Sequence, residues 1–291
     1  MADGYEAEVT AADTASAFRW AAANGADILS NSWLFSDPLH IIHSAIVDVT
    51  QLGGMGRDGK GCVVVFSSGN SGGRMSSSSI AGYAEVISVG ATDHDDVGWY
   101  YSSYGSELDI VAPGGGISDE DVLANMAKDY LWTTDITGIA GSSELHFVYG
   151  VYTDMLDYSA HGGTSSACPV AAGVAALILS VEPNLTNDEV RHFLTRSAKD
   201  LGDPGKDDYY GWGRVDARAA LDMVLAKRAD LNNDWKVDLK DFAMLAHFWK
   251  TSAAEGDIGP PPRLDGFVDV HDVILMGQYW MAEIPEPAQD R

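Results

Sequence analysis

A serine at the predicted start of an apolar helix is the residue of this sequence best suited to nucleophilic chemistry. Residues 163–169 run into an apolar stretch, and this pattern predicts a buried helix over residues 165–180. At a helix N-terminus, unpaired backbone N–H groups and the positive end of the helix dipole favour negative charge. An attacking alkoxide and a tetrahedral oxyanion both need that setting. Ser165 is therefore the candidate nucleophile.

An amide side chain follows one of the predicted buried strands. Residues 62–66 are a continuous apolar run, and the turn-forming residues 67–73 come directly after it. Asn70 lies in this turn, which places its carboxamide on a tight loop at the carboxyl end of the strand. In parallel sheets, functional groups gather on loops at that edge. Asn70 is therefore a second candidate site residue.

Residues 230–241 have the oxygen spacing of a cation-binding loop. Oxygen-bearing side chains stand at positions 1, 3, 5, 9 and 12 of this loop, namely Asp230, Asn232, Asp234, Asp238 and Asp241. This spacing wraps oxygens around a hard cation, and Ca²⁺ is the predicted cofactor. Position 6, where such loops usually carry glycine, is Trp235, which is expected to strain the sharp turn. A solvated acidic turn without a metal is the alternative.

A second copy of this pattern follows a spacer that is rich in glycine and proline. The two copies occupy residues 230–250 and 261–281. In the second copy, positions 1 and 3 fall on Pro261 and Arg263, so that two oxygen ligands are lost and a cation is gained. We therefore expect a degenerate copy, for which a solvated acidic turn is the favoured interpretation. The acidic and turn residues that remain aligned are Asp265, Gly266, Asp269 and Asp272.

Apolar strands alternate with helical segments from about residue 11 to residue 225. This alternation predicts an α/β fold, in which helices cover both faces of a parallel sheet. Two polar stretches, 36–60 and 118–159, are interpreted as insertions. The predicted strands are 26–30, 62–66, 85–89 and 108–112, and the predicted helices are 11–24, 165–180 and 186–197.

The character of the sequence changes near residues 226–229. We predict an α/β domain over residues 1–227 and a small all-α, EF-hand-like domain over residues 228–284. The proline-containing tail, 285–291, is predicted to be disordered.

Composition limits the partners of the protein. Its 291 residues contain 18 Lys and Arg against 43 Asp and Glu, a net charge of −25. Because this charge repels phosphate, neither nucleic acid nor an anionic membrane surface is expected as a partner. Two cysteines, Cys62 and Cys168, exclude a disulfide framework. The apolar stretch 168–181 is too short to span a membrane, and residues 1–20 lack the features of a signal peptide.

These motifs, in this order, resemble the subtilisin-like serine endopeptidases over about residues 12–225. Residues 163–169 are similar to the nucleophile motif of that family and residues 68–70 to its oxyanion loop. The resemblance implies that Ser165 attacks a polypeptide substrate, while its own N–H and the Asn70 side chain hold the oxyanion. It also implies substrate binding along the strand and the loop, by Ser32, Trp33, Leu34 and Gly69. Leu34 stands where the family usually has glycine.

The sequence departs from the family in the rest of the catalytic triad. Family members carry their Asp and His motifs before the serine, and no counterpart of either occurs upstream of Asn70. We therefore expect the C-terminal part of a catalytic domain, with little activity of its own because Ser165 lacks a base. His161, four residues before Ser165, is interpreted as a solvent-facing loop residue, and a role as replacement base is the weaker alternative. His40 and His43 are predicted in loops.

Two further predictions concern His192 and Cys168. His192 is predicted on the surface of an amphipathic helix. Cys168 is predicted as a small buried packing residue, rather than a second nucleophile.

Residues 230–281 resemble the calcium-binding repeats of dockerins. This resemblance implies attachment to a cohesin-bearing scaffold, and the two resemblances together imply an extracellular or cell-surface location. A non-catalytic remnant whose role is dockerin–cohesin binding is the alternative to an enzyme. An unrelated α/β hydrolase is disfavoured, because glycine does not flank Ser165 in the way the nucleophile elbow requires. Residues 56–70 look like the kexin branch, but the acids that would bind basic residues after Asn70 are missing, so we predict no dibasic specificity.

Overall fold

A four-stranded parallel sheet positions the candidate site. The strands are β1 (Ile28–Asn31), β2 (Val63–Ser67), β3 (Ile87–Thr92) and β4 (Ile110–Pro113), hydrogen-bonded in that order. Ile28 pairs with Val63, Val65 with Ile87, and Val89 with Ile110. The computed structural model describes residues 9–33, 40–116, 131–134, 158–259 and 264–287. The predicted α/β class with a parallel sheet is confirmed, because apolar β-branched runs without polar alternation suit strands that are buried on both faces.

Seven α-helices and a small antiparallel ribbon accompany this sheet among the described residues. The ribbon pairs β5 (Leu131–Thr134) with β6 (Tyr158–His161). The predicted helices 11–24, 165–180 and 186–197 are present as Ala11–Ala23, Thr164–Val181 and Asn187–Arg196. The helices are α1 (Ala11–Ala23), α2 (His40–Thr50), α3 (Thr164–Val181), α4 (Asn187–Arg196), α5 (Ala217–Ala229), α6 (Leu239–His247) and α7 (Val270–Gln278).

The interpretation of residues 36–60 as a polar insertion is wrong, because this stretch contains α2. Ile42, Ala45, Ile46 and Val49 on α2 are fully buried. Their spacing is that of one helix face, and it was masked by the glycine-rich residues that follow. The predicted loop residues His40 and His43 therefore lie on a helix. The other predicted insertion, 118–159, falls mostly outside the described residues.

The chain divides into two compact units, 1–173 with 199–215 and 174–198 with 216–291. This division does not coincide with the boundary predicted at residue 227, which stays a prediction. In the first unit, Phe66 on β2 is fully buried, and its ring lies 4.9 Å from that of Trp33 and 6.3 Å from that of Phe18.

The second unit contains the two acidic repeats. Helices α6 and α7 begin in the same way, at Asp238 and Asp269, whose side chains cap the first turns. Leu245 and Met276 on these helices are buried in a shared apolar cluster.

His192 is buried in this second unit and not exposed as predicted. Its Nε2 lies 2.7 Å from the carbonyl oxygen of Pro285, which ties residue 285 of the predicted tail to α4. Burial of the ring lowers the pKa of His192.

Helix α3 begins before the apolar stretch 168–181, which by itself was expected to be too short to span a membrane. By length and composition alone it could cross a membrane, and it is the one such helix among the described residues. More than half of it is buried within the protein, as in the core helix of a globular domain.

Candidate active site

The candidate nucleophile lies in the first turn of α3, on an exposed position beside buried neighbours. Gly163 has a φ of 86°, a left-handed conformation that glycine adopts without strain, and the helix begins at the next residue. The N–H groups of Ser166 and Ala167 both donate to the Gly163 carbonyl. Within the described residues, no backbone carbonyl accepts the N–H of Ser165. This N–H is therefore available to a ligand at the positive end of the helix.

The loop after β2 brings Asn70 to the same helix end. Gly69 is buried with a φ of 107°, and this turn directs the exposed residue Asn70 toward α3. The Asn70 Oδ1 accepts hydrogen bonds from the Thr164 backbone N–H over 2.9 Å and from the Thr164 hydroxyl over 2.7 Å. Because both bonds occupy Oδ1, the two Nδ2 protons of the carboxamide face elsewhere. Asn70 thus presents a donor next to the residue that precedes Ser165.

Thr164 is a site residue that the sequence analysis did not single out. Its hydroxyl donates to Asn70 and also accepts the N–H of Gly69 over 3.3 Å, so one buried side chain locks both the loop and the amide. The motif that contains Thr164 signals a functional position, but its partner is 94 residues away. No local pattern could identify that pairing.

The end of β1 completes the arrangement. The Ser32 hydroxyl donates to the Ser165 carbonyl over 2.8 Å. Cys168, one turn into α3, is fully buried, and its sulfur lies 3.4 Å from the Asn31 carbonyl. Burial raises the pKa of the Cys168 thiol, which suits a packing residue and not a nucleophile. The strand, the loop after β2 and the start of α3 therefore meet around Ser165.

The structure describes Trp33 but not Leu34 among the other predicted substrate-binding residues. The indole of Trp33 packs edge-on against Phe66 and Phe18, so it is part of the core as well as of the strand end. Leu34 lies outside the described residues. His161 is exposed at the end of β6, four residues before Ser165.

The first acidic loop folds around its own carboxylates. Asp230 is 3% exposed and Asp241 is fully buried. The Asp230 carboxylate accepts the N–H groups of Asp234 and Trp235, over 3.1 and 3.0 Å. Asp241 accepts the N–H groups of Asn232 and Asp238, over 3.1 and 2.8 Å.

Position 6 of this loop has the backbone conformation that the spacing predicts. Trp235 has a φ of 63°, in the left-handed region that glycine usually fills. Lysine ammonium groups contact two of the loop carboxylates, Lys227 on Asp230 over 2.9 Å and Lys240 on Asp234 over 2.6 Å. The hydrogen bond from Lys240 lowers the pKa of Asp234.

These residues fit a calcium ion. Buried carboxylates are costly unless paired, and the Oδ1 of Asp234 is buried without a hydrogen-bond partner among the described residues. Oxygens alone make up the donor set, as Ca²⁺ prefers.

Comparison with known proteins identifies the class that this fold and site define. The Subtilase family profile matches residues 2–213, so the chain belongs to this family. The chain is 37% identical over 238 residues to the calcium-dependent protease of Trichormus variabilis (strain ATCC 29413 / PCC 7937), covering 73% of this chain and 34% of that protein. It is 33% identical over 209 residues to the halolysin-like extracellular serine protease Nep of Natrialba magadii, covering 72% of this chain and 31% of that protein.

A solved protease structure is also similar to this chain. The crystal structure of a lanthipeptide protease superimposes with a TM-score of 0.55 at 25% identity, covering 74% of this chain and 66% of that one. The chain spans only about a third of the length of the two curated relatives named above.

Proposed function

We propose that the protein is a serine endopeptidase that cleaves polypeptides through an acyl-enzyme. The observation that carries this proposal is the pair of hydrogen bonds from Thr164 to the Asn70 carboxamide, beside an exposed serine at a helix N-terminus. Membership of the Subtilase family supports it.

In this mechanism a general base takes the proton of the Ser165 hydroxyl while the Oγ forms a bond to the scissile carbonyl carbon. The Ser165 N–H and the Asn70 Nδ2 stabilise the oxyanion, where the negative charge develops. The C–N bond then breaks, a general base returns the serine proton to the leaving amine, and water hydrolyses the acyl-enzyme. Ser32, Trp33, Leu34 and Gly69 are proposed to bind the extended substrate, with Ser32 also holding the backbone of Ser165 in place.

The general base is not supplied by a family motif within these 291 residues. Residues 1–291 alone should therefore hydrolyse a generic peptide no faster than their Ser165→Ala variant. The complete protein encoded by the gene should cleave the peptide, and Ser165→Ala should abolish that cleavage. Inactivity of the complete protein would contradict the endopeptidase proposal. Cleavage by residues 1–291 that depends on both Ser165 and His161 would instead make His161 the base.

The acidic loop supports a second proposed activity, calcium-dependent binding. Asp230, Asn232, Asp234, Asp238 and Asp241 would hold the ion, which would order the loop by neutralising their charge. A dockerin-like role in attachment to a cohesin-bearing scaffold, at an extracellular or cell-surface location, would follow. A stop codon between the gene and any upstream Asp and His motifs would favour this binding role over the enzymatic one.

Calorimetry tests the loop directly. Asp234→Ala should remove calcium binding by the first loop, because it deletes a ligand and a buried unpaired oxygen. Asp203→Asn, an exposed acid outside the loop, is the control and should leave binding unchanged. Unaltered binding by Asp234→Ala would contradict the assignment.

A further inference from the structure

The carbonyl oxygen of Gly115 holds the turn that leads into the candidate nucleophile. Gly115 follows β4, and its carbonyl oxygen accepts the N–H of Gly163 over 3.2 Å. Gly163 comes two residues before Ser165, and its own carbonyl oxygen accepts N–H groups from the first turn of α3. The position of the Ser165 N–H therefore depends on where Gly115 lies.

The two chain segments that meet here, 114–116 and 162–163, pack backbone against backbone. A Cβ atom at Gly162 would lie 1.7 Å from the carbonyl oxygen of Gly116, so no side chain fits between them. Gly115 and Gly163 have left-handed conformations, with φ values of 71° and 86°, which glycine adopts without strain. Because the contact is so close, a shift of one segment displaces the other.

The hydroxyl of Tyr101 is a second donor to the Gly115 carbonyl oxygen. Tyr101 is 2% exposed, and its hydroxyl donates to the oxygen that also accepts the N–H of Gly163. The ring of Tyr101 stacks on that of Trp99, with centroids 5.6 Å apart and planes at 14°. A carbonyl oxygen has two lone pairs, so the two donors together satisfy it. The buried tyrosine thus ties the turn before Ser165 to the segment that follows β3.

The backbone of the same segment contacts the loop that carries Asn70. The Tyr101 carbonyl oxygen accepts the N–H of Gly72 over 2.7 Å. Two residues further on, the N–H of Ser103 donates to the carbonyl oxygen of Gly69 over 2.9 Å. These two hydrogen bonds hold the loop on either side of Asn70.

We propose that Tyr101 is a positioning residue that fixes the two proposed oxyanion donors, the Ser165 N–H and the Asn70 carboxamide, relative to each other. Its hydroxyl acts on the first donor through Gly115, and its backbone acts on the second through Gly72. Because an oxyanion hole works only when its donors are placed in advance, loss of the hydroxyl should affect the transition state more than substrate binding. This inference rests on the proposed endopeptidase mechanism, to which it adds a residue that acts through others.

Amide hydrogen exchange in residues 1–291, followed by NMR, tests the contact without requiring catalytic activity. Tyr101→Phe keeps the buried ring and removes only the hydroxyl, so exchange of the Gly163 N–H should become about fivefold faster. The N–H of Val63, which donates to the Asp27 carbonyl oxygen at the opposite end of β2, should keep its rate. Equal acceleration at Gly163 and Val63 would show a general loss of stability and overturn the positioning role, as would unchanged exchange at Gly163.

Steady-state kinetics of the complete protein test the catalytic consequence. Tyr101→Phe should lower kcat by about tenfold while KM changes by less than about twofold, because the hydroxyl acts on donors that are used in the transition state. Tyr209→Phe is the matched control, since it removes a hydroxyl from a residue that is 62% exposed and whose ring stacks on Tyr104 of the same segment. This control should keep the kcat and KM of wild type.

The results distinguish failure of the positioning role from failure of the proposed function. An inactive wild type would contradict the endopeptidase proposal itself, and the exchange rates would still show whether the Tyr101 hydroxyl holds the turn. An active wild type with an unchanged kcat in Tyr101→Phe would overturn the positioning role alone. A higher KM without loss of kcat would also overturn it, because this result would assign Tyr101 to substrate binding.

Discussion

At the scale of single residues, the orientation of Asn70 is set by Thr164. Two donors on one oxygen leave the carboxamide only one stable orientation, with its N–H₂ group outward. In the proposed mechanism Asn70 is an oxyanion donor, and a donor held in advance need not reorient during the reaction, which is why such groups contribute strongly to catalysis.

Substitutions in the complete, active protein separate the proposed role of Asn70 as an oxyanion donor from the proposed role of Thr164 in positioning Asn70. Asn70→Ala should lower kcat by about 10²–10³ with little change in KM, the magnitude known for loss of an oxyanion donor in this family. Thr164→Val should lower kcat less, because the backbone N–H still holds Asn70. Thr164→Ser keeps the hydroxyl and should restore the rate. Steady-state kinetics measure these effects, and an unchanged kcat in Thr164→Val would refute the positioning role.

His192 makes stability depend on pH. Burial lowers its pKa in the folded protein below the ordinary value of 6.5, so the unfolded chain binds this proton more readily. The contribution of the neutral ring is therefore complete above about pH 6.5 and is lost as the pH falls below it. Urea unfolding of wild type and His192→Gln should show wild type losing more stability on acidification. Exposed His247→Gln is the control, and parallel curves for wild type and His192→Gln would contradict this expectation.

At the scale of elements, β2 is the strand on which the site depends. All five of its residues are buried, and the loop that carries Asn70 continues directly from it. Phe66 fixes this strand against Phe18 of α1 and against Trp33 after β1. We therefore expect a change in the packing of this aromatic cluster to affect both the loop that carries Asn70 and the end of β1.

Truncation of Phe66 measures that packing. Phe66→Ala should reduce the free energy of unfolding by about 3–5 kcal/mol, since it removes a fully buried ring and leaves a cavity. Val97→Ala, at an exposed position, should change it by less than about 0.5 kcal/mol. Chemical denaturation provides both values, and similar losses for the two variants would show that β2 is not tightly packed.

At the scale of the whole molecule, the net charge of −25 opposes the compact state. Raising sodium chloride from about 0.01 M to about 1 M shortens the Debye length from about 30 Å to about 3 Å, which screens this repulsion. The thermal midpoint should therefore rise with salt, as followed by circular dichroism. Glycerol, an uncharged additive, controls for solvent effects, and a midpoint that falls with salt would show that attractive ion pairs dominate.

The sequence by itself determined the features that local patterns encode. Apolar runs predicted all four strands of the sheet within a few residues, because a strand buried on both faces needs continuous hydrophobicity. The positions of Ser165 and Asn70 after turn-forming glycines predicted a nucleophile and an oxyanion donor, and these two roles stay predictions. The spacing of Asp230 to Asp241 predicted a turn with a left-handed residue at position 6, which the backbone of Trp235 adopts.

Only the tertiary structure decided which distant residues meet. Thr164 and Asn70 are brought together by the sheet and α3, and the hydrogen bonds between them have no signature in either segment. The helical face of α2 was concealed by the glycine-rich residues that follow it. The hydrogen bonds between Thr164 and Asn70 link groups 94 residues apart, and local periodicity does not encode a contact between residues so distant along the chain.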